Sequence, residues 1–230
     1  MLERIQQWKN LPEQSFRVIA FGSSNTEVSW SGKHNWVEWL NLNLKTHIGR
    51  HVSVINQGIS GDTTKNLLER IDRDVFSFHP SVVIVTIGGN DTFQGFSRQQ
   101  YGDNLRQICT LIRSNNALPV LQTYYCPMYS LGAADFQDTF ESFMEVNRLL
   151  SKELDLPLID QYRLFEPFYR KQPEEYAKLM HDWVHVNHIG NVIMGMQASR
   201  SFGLPDLIIP EDIKQETLAL ADQMKACHDQ

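Results

Sequence analysis

The run Val82-Val-Ile-Val-Thr-Ile87 limits the folds open to this chain more than any other stretch. It is a continuous block of β-branched residues with no polar alternation, the pattern of a central strand covered on both faces. Such a strand needs a layer on each side, and the flanking sequence supplies helices for both. Phe16–Phe21, His51–Ile55, Leu118–Thr123 and Leu156–Asp160 read as four further strands. Between them, apolar residues recur at helical spacing: Trp36, Leu40 and Leu44; then Leu67, Leu68, Ile71 and Val75; then Tyr101, Leu105, Ile108 and Ile112; then Phe136, Phe140, Phe143 and Leu150. Strands alternating with helices predict an α/β fold, a three-layer α/β/α flavodoxin-like arrangement with a five-stranded parallel sheet in the order 2-1-3-4-5.

The chain of 230 residues is 42% hydrophobic and 21% charged, which fits one soluble domain with a sizeable core. The core is expected over about 16–202, with a helix around Ile189–Phe202. Residues 203–230 read as a helical tail, solvent-facing from Glu211 onward and docked through Ile213, Leu218 and Met224. A formal charge of −6 without a Lys/Arg cluster argues against nucleic acid or an anionic membrane as the partner. No apolar run approaches the roughly 20 residues of a membrane span. The stretch MLERIQQWKNLPEQ lacks an h-region and a small-residue cleavage site, so a cytoplasmic location is expected. The odd, scattered Cys109, Cys126 and Cys227 fit reduced thiols. Cys126 falls in the loop Cys126–Ala134 after the fourth strand, yet nothing else supports it as a nucleophile.

Each strand ends in a small polar block, where ligands bind in open parallel sheets. Ser23-Ser24 follow strand one, Gly61 follows strand two, Asn90 follows strand three, and Asp182 with His185 lies beyond the last. Taken singly, these residues read as turn formers, caps and solvated charges. Taken together, they hold the parts that acyl transfer through serine requires. Ser24 is the candidate nucleophile and His185 the candidate base. Asp182, three residues earlier, reaches one imidazole nitrogen while the other faces Ser24. The Ser24 and Gly61 N–H groups and the Asn90 amide are candidate donors for an oxyanion.

Four blocks in this order resemble the SGNH, or GDSL-type, serine esterases and lipases. The likeness covers roughly residues 16–200. It runs through Phe21-Gly-Ser-Ser-Asn-Thr26, Asn56-Gln-Gly-Ile-Ser-Gly-Asp-Thr63, Gly88-Gly-Asn-Asp91 and Asp182-Trp-Val-His185. The resemblance implies Ser24, Asp182 and His185 as the catalytic residues, Gly61 and Asn90 as oxyanion donors, and no metal or organic cofactor. The first block departs from the family's Gly-Asp-Ser, with Ser23 in place of the aspartate. Either its hydroxyl takes over, or the nucleophile loop is held otherwise. Val186 stands where the family often has proline.

A small-molecule ester is the expected partner, with short acyl groups, such as acetyl on a carbohydrate, favoured by the lack of a lid or long apolar segment. Lysophospholipase or thioesterase activity uses the same mechanism. Pro127, Met128, Tyr129 and Trp183 are candidate pocket walls. Two readings come from other classes. His181, His185 and His188 have the spacing of metal ligands on a helix, resembling the zinc-protease H-E-x-x-H motif. A binding module that kept the fold without activity is the other, suggested by Ser23.

Overall fold

The computed structural model describes residues 2–27, 32–133 and 135–228. Five strands, β1 (Phe16–Gly22), β2 (Val52–Gly58), β3 (Val82–Thr86), β4 (Leu118–Gln122) and β5 (Leu158–Ile159), form one parallel sheet in the order β2-β1-β3-β4-β5. This is the order expected from the sequence. Every residue of β3 is fully buried, as its unbroken β-branched run requires. Burying each Val or Ile side chain of this kind contributes about 1.5–3 kcal/mol.

The helices, in chain order, are α1 (Leu2–Trp8), α2 (Ser24–Glu27), α3 (Trp36–His47), α4 (Thr64–Asp74), α5 (Gly89–Phe93), α6 (Arg98–Ser114), α7 (Phe136–Glu153), α8 (Gln161–Lys171), α9 (Pro173–Ala177), α10 (His188–Ser201) and α11 (Glu211–His228). Capping sets several of their starts. The Asn35 side chain accepts from the Val37 and Glu38 amides while Glu38 accepts from the Asn35 amide, and Thr63 and Asn66 make the same reciprocal pair at α4. Helix α1 was not expected. It docks through buried Ile5 and Trp8, whose ring stacks on Phe16 at 4.6 Å.

Three details differ from the sequence reading. β2 extends to Gly58, because a Cβ there would lie 2.2 Å from the Glu27 amide nitrogen and only glycine lets the strand pass α2. β5 shrinks to two residues, since only Leu158 and Ile159 pair with β4. In α11 the buried stripe is Ile213, Thr217, Leu220, Met224 and Cys227, so Leu218, expected as a docking contact, points away and is exposed. Among the described residues, no helix is long and apolar enough to cross a membrane. Ala134, the last residue of the expected Cys126–Ala134 loop, lies outside the described residues.

Candidate active site

The carboxyl ends of β1, β2 and β3 bring the first three polar blocks to one edge of the sheet, and the segment between α9 and α10 supplies the fourth. Ser24 opens α2 directly after β1. Its Oγ lies 3.1 Å from His185 Nε2, and His185 Nδ1 lies 2.7 Å from Asp182 Oδ2. The other Asp182 oxygen accepts from the Val184 and His185 amides, each at 2.8 Å. The three side chains expected to work together therefore form one continuous hydrogen-bonded chain.

The segment carrying the histidine is a loop. An antiparallel bridge between Met180 and Val186 closes its base, and the His181 amide donates to the His185 carbonyl at 2.7 Å. Asn187 then caps α10 by accepting from the Ile189 and Gly190 amides. Partial burial acts to raise the Asp182 pKa, but the His185 ring and the Val184 and His185 amides outweigh it. The carboxyl is held below the usual carboxylate range. It is thus ionised at neutral pH and oriented toward the imidazole.

This geometry bears on the metal reading. His181 and His185 do not occupy successive turns of a helix, and both ring nitrogens of His185 face Ser24 and Asp182. His188 lies on α10, and among the described residues no group of three or more His, Cys, Asp or Glu side chains could hold a metal ion.

The oxyanion candidates converge from the second and third blocks. Gly61 has φ +87°, a left-handed conformation that glycine adopts without strain. Among the described residues, the Ser24 and Gly61 amides meet no acceptor. Asn90 donates one of its two side-chain N–H groups to the Asp62 carbonyl at 2.9 Å, leaving the other for a ligand. The neighbouring Asp91 is fully buried and accepts from the Thr64 amide and hydroxyl, tying α5 to the start of α4. Burial raises its pKa, and the Thr64 donors offset only part of that rise.

Arg70, buried on α4, locks this edge further. It donates to the Gly22 and Gln57 carbonyls at 3.0 Å, pairs with Asp62 at 2.6 Å and Asp74 at 3.1 Å, and lies over the Phe21 ring. The turn bearing Ser24 is also held from the start of α3 and from β2. Trp36 Nε1 donates to the Asn25 carbonyl, and Asn35 and Asn56 both donate to that of Thr26.

A cavity of about 60 Å³ opens beside Ser24 and His185. Its apolar wall is Phe93, Tyr124, Tyr125, Pro127, Phe136 and Phe140. Of the expected wall residues, only Pro127 lines it. Trp183 sits behind Phe93 and Phe136, at 5.6 and 5.2 Å between ring centroids. Tyr129 packs behind Phe136 and Phe140 with its hydroxyl on that of Tyr162, and Met128 contributes its amide to the Trp183 carbonyl. Trp183 and Tyr129 thus form a supporting layer one step from the cavity, and the Met128 side chain packs against the core. Cys126 is buried with its thiol pKa pushed upward by burial, and it does not line the cavity.

A doubly wound parallel sheet with a Ser–His–Asp chain at its carboxyl edge defines a class, α/β/α proteins whose sheet edge carries the groups of a serine hydrolase. More narrowly, residues 20–193 match the GDSL-like Lipase/Acylhydrolase family model, and the chain belongs to that family. It is 34% identical over 139 residues to thioesterase 1/protease 1/lysophospholipase L1 of Escherichia coli K12, covering 59% of this chain. The chain spans 60% of the length of that relative. An uncharacterized lipoprotein of Bacillus subtilis, YqeF, is 28% identical over 179 residues, 64% of this chain and 71% of that one. Among solved structures, the acetylxylan esterase Axe2 of Geobacillus stearothermophilus superposes with a TM-score of 0.71 at 20% identity, over 84% of this chain and 96% of that one.

Proposed function

We propose that the protein is a carboxylic ester hydrolase that works through an acyl-enzyme on Ser24, with short acyl esters such as acetylated carbohydrates as substrates. The observation that carries this reading is the continuous hydrogen-bonded chain from Ser24 through His185 to Asp182. In the first step, Ser24 Oγ attacks the acyl carbon as its proton passes to His185 Nε2. The imidazolium, stabilised by Asp182, then protonates the departing alcohol oxygen. In the second step, water gives its proton to the same nitrogen and attacks the acyl-enzyme, releasing the acid and restoring Ser24. The Ser24 and Gly61 amides and the Asn90 amide stabilise the oxyanion in both steps.

Cavity size supports the short acyl preference. A volume of about 60 Å³ holds roughly four to six water-sized groups, enough for an acetyl to butyryl chain. The structural neighbour Axe2 is an acetylxylan esterase, also solved as serine, aspartate and histidine catalytic mutants. The E. coli relative favours a second reading, thioester or lysophospholipid hydrolysis by the same steps. A series of p-nitrophenyl esters from acetate to palmitate, run beside acetylated xylo-oligosaccharides, separates the two. The expected optimum is at acetate to butyrate, and an optimum at long chains would remove the short-acyl assignment.

Cytoplasmic location is part of the same proposal, supported by three free, buried thiols. The B. subtilis lipoprotein favours the opposite side of the membrane, and cell fractionation decides between them.

A further inference from the structure

We propose that Tyr124 and Tyr125, adjacent residues just beyond β4, are positioning residues that clamp the turn bearing Ser24 from both sides. The inference rests on the reading of Ser24 as nucleophile, and it answers what holds the turn when position 23 is not a carboxylate. Tyr124 holds the residue before Ser24. Its hydroxyl lies 2.7 Å from Ser23 Oγ, with both residues buried, at 4% and 1% exposure. Tyr125 holds the residue after it, with its hydroxyl on the Asn25 side-chain amide.

The Tyr125 hydroxyl has a second set of partners. It contacts the Val184 carbonyl and accepts from the Val186 amide at 3.2 Å, the two residues that flank His185 in the chain. One phenol oxygen thus touches the neighbour of the proposed nucleophile and both neighbours of the proposed base. The 3.1 Å separation of Ser24 Oγ from His185 Nε2 spans two loops more than 150 residues apart, and this oxygen links them directly. The two tyrosine rings stand 79° apart with centroids at 6.1 Å, which lets consecutive residues reach opposite sides of one turn.

Charge favours this solution in so closed a place. A carboxylate at position 23 would have to be desolvated, whereas two hydroxyls share one hydrogen bond without a net charge. Burial pushes the Tyr124 hydroxyl up to about 12, so it stays a neutral donor and acceptor across the working range. The Tyr124 and Tyr125 rings also line the cavity, so the clamp and the substrate wall are one rigid unit.

The test is a set of full-length variants: Tyr124→Phe, Tyr125→Phe, Ser23→Ala and the Ser23→Ala/Tyr124→Phe double. Each is assayed for kcat and KM on p-nitrophenyl acetate, for the rate of labelling by a fluorophosphonate, and for thermal midpoint. Loss of alignment between Ser24 and His185 lowers kcat and labelling together, by about 10²-fold in Tyr125→Phe and about 10-fold in Tyr124→Phe, with KM nearly unchanged. The double variant is expected to be no slower than the slower single, because both substitutions break the same bond. Should Tyr125→Phe fail to fold, Asn25→Ala removes the Asn25 contact from the other side, and a loss of kcat and labelling together, smaller because the Val184 and Val186 contacts remain, is expected.

Wild-type kcat and labelling in the folded Phe variants, or losses at Ser23 and Tyr124 that multiply, would overturn the clamp. A lowered midpoint with unchanged kcat would do the same, since it reduces both tyrosines to packing. Ser24→Ala separates the two levels. If it still labels, the nucleophile reading itself fails; if it does not, while the Phe variants react normally, only the clamp fails.

Discussion

Asn90 donates its side-chain amide to the backbone carbonyl of Asp62 across 2.9 Å, so the third polar block is fixed directly to the second. This bond aims the amide. One N–H is committed to the scaffold; among the described residues, neither the other nor the Gly61 amide meets an acceptor. Preorganised donors of this kind act on the transition state and leave ground-state binding nearly unchanged. Asn90→Ala is therefore expected to lower kcat by about 10²–10³-fold with little change in KM. Undiminished turnover in the folded variant would refute the donor role.

Asp182→Asn tests the far end of the chain from Ser24. The amide keeps the shape but favours the wrong imidazole tautomer, and a loss on the order of 10⁴ in kcat is expected by analogy with other triads. A loss below ten-fold would mean that His185 is oriented by its loop alone.

The two carboxyls at the site should pull stability in opposite directions with pH. The Asp182 pKa is lower folded than unfolded, so the unfolded chain binds more protons in that window. Its stabilisation is present above the unfolded value of about 3.9 and is lost as pH falls through the lower, folded value. The Asp91 pKa is raised by burial, so the sign reverses. Its neutral form is favoured in the folded chain, and stability falls as pH rises from about 3.9 through the raised value. Asp91→Asn keeps an acceptor for Thr64 without the buried charge. It is expected to hold or raise the thermal midpoint at pH 7, whereas Asp182→Asn flattens the acid-side loss. A midpoint at pH 7 that drops by several degrees in Asp91→Asn would contradict the first expectation.

Arg70 is buried, and it ties β1, β2 and the Gly61–Asp62 segment through one guanidinium. Removing it leaves Asp62 without its buried countercharge, while Asp74 keeps Arg73, at a cost of about 3–5 kcal/mol. For a chain of this size, Arg70→Ala should lower the midpoint by roughly 6–20 °C. A shift under about 2 °C would show that water replaces the guanidinium freely.

The fold was legible because each level of the sequence pointed the same way. The β-branched block at 82–87 required two covering layers, and the helical spacings between strands supplied them. The hydrogen-bonded chain of Ser24, His185 and Asp182 was legible because Ser24 directly follows a strand and Asp182 lies three positions before His185. The tyrosine clamp was not. Tyr124 meets Ser23 and Tyr125 meets Val184 across long sequence distances, and no periodicity marks such a pair. The signal available was indirect, two bulky hydroxyls just after a strand in a protein with serine at position 23.

The pocket wall was misread for a related reason. Met128, Tyr129 and Trp183 are near the site in sequence, but none of them lines the cavity: Tyr129 and Trp183 pack against Phe136, Phe140 and Phe93, and Met128 packs against the core. Phe93, three residues after Asn90 and 53% exposed, lines the cavity and was not among the expected wall residues. Leu218 shows the same lesson on a helix. Its apolar identity suggested docking, but its phase takes it off the stripe from Ile213 through Thr217 to Met224.

The identity of the nucleophile is tested most directly by mass spectrometry of the intact protein after reaction with a fluorophosphonate, with Ser24→Ala alongside. The expected result is one phosphonyl adduct on Ser24, with no adduct and no p-nitrophenyl acetate turnover in Ser24→Ala. Labelling of Ser24→Ala at the wild-type rate, with turnover retained, would contradict it.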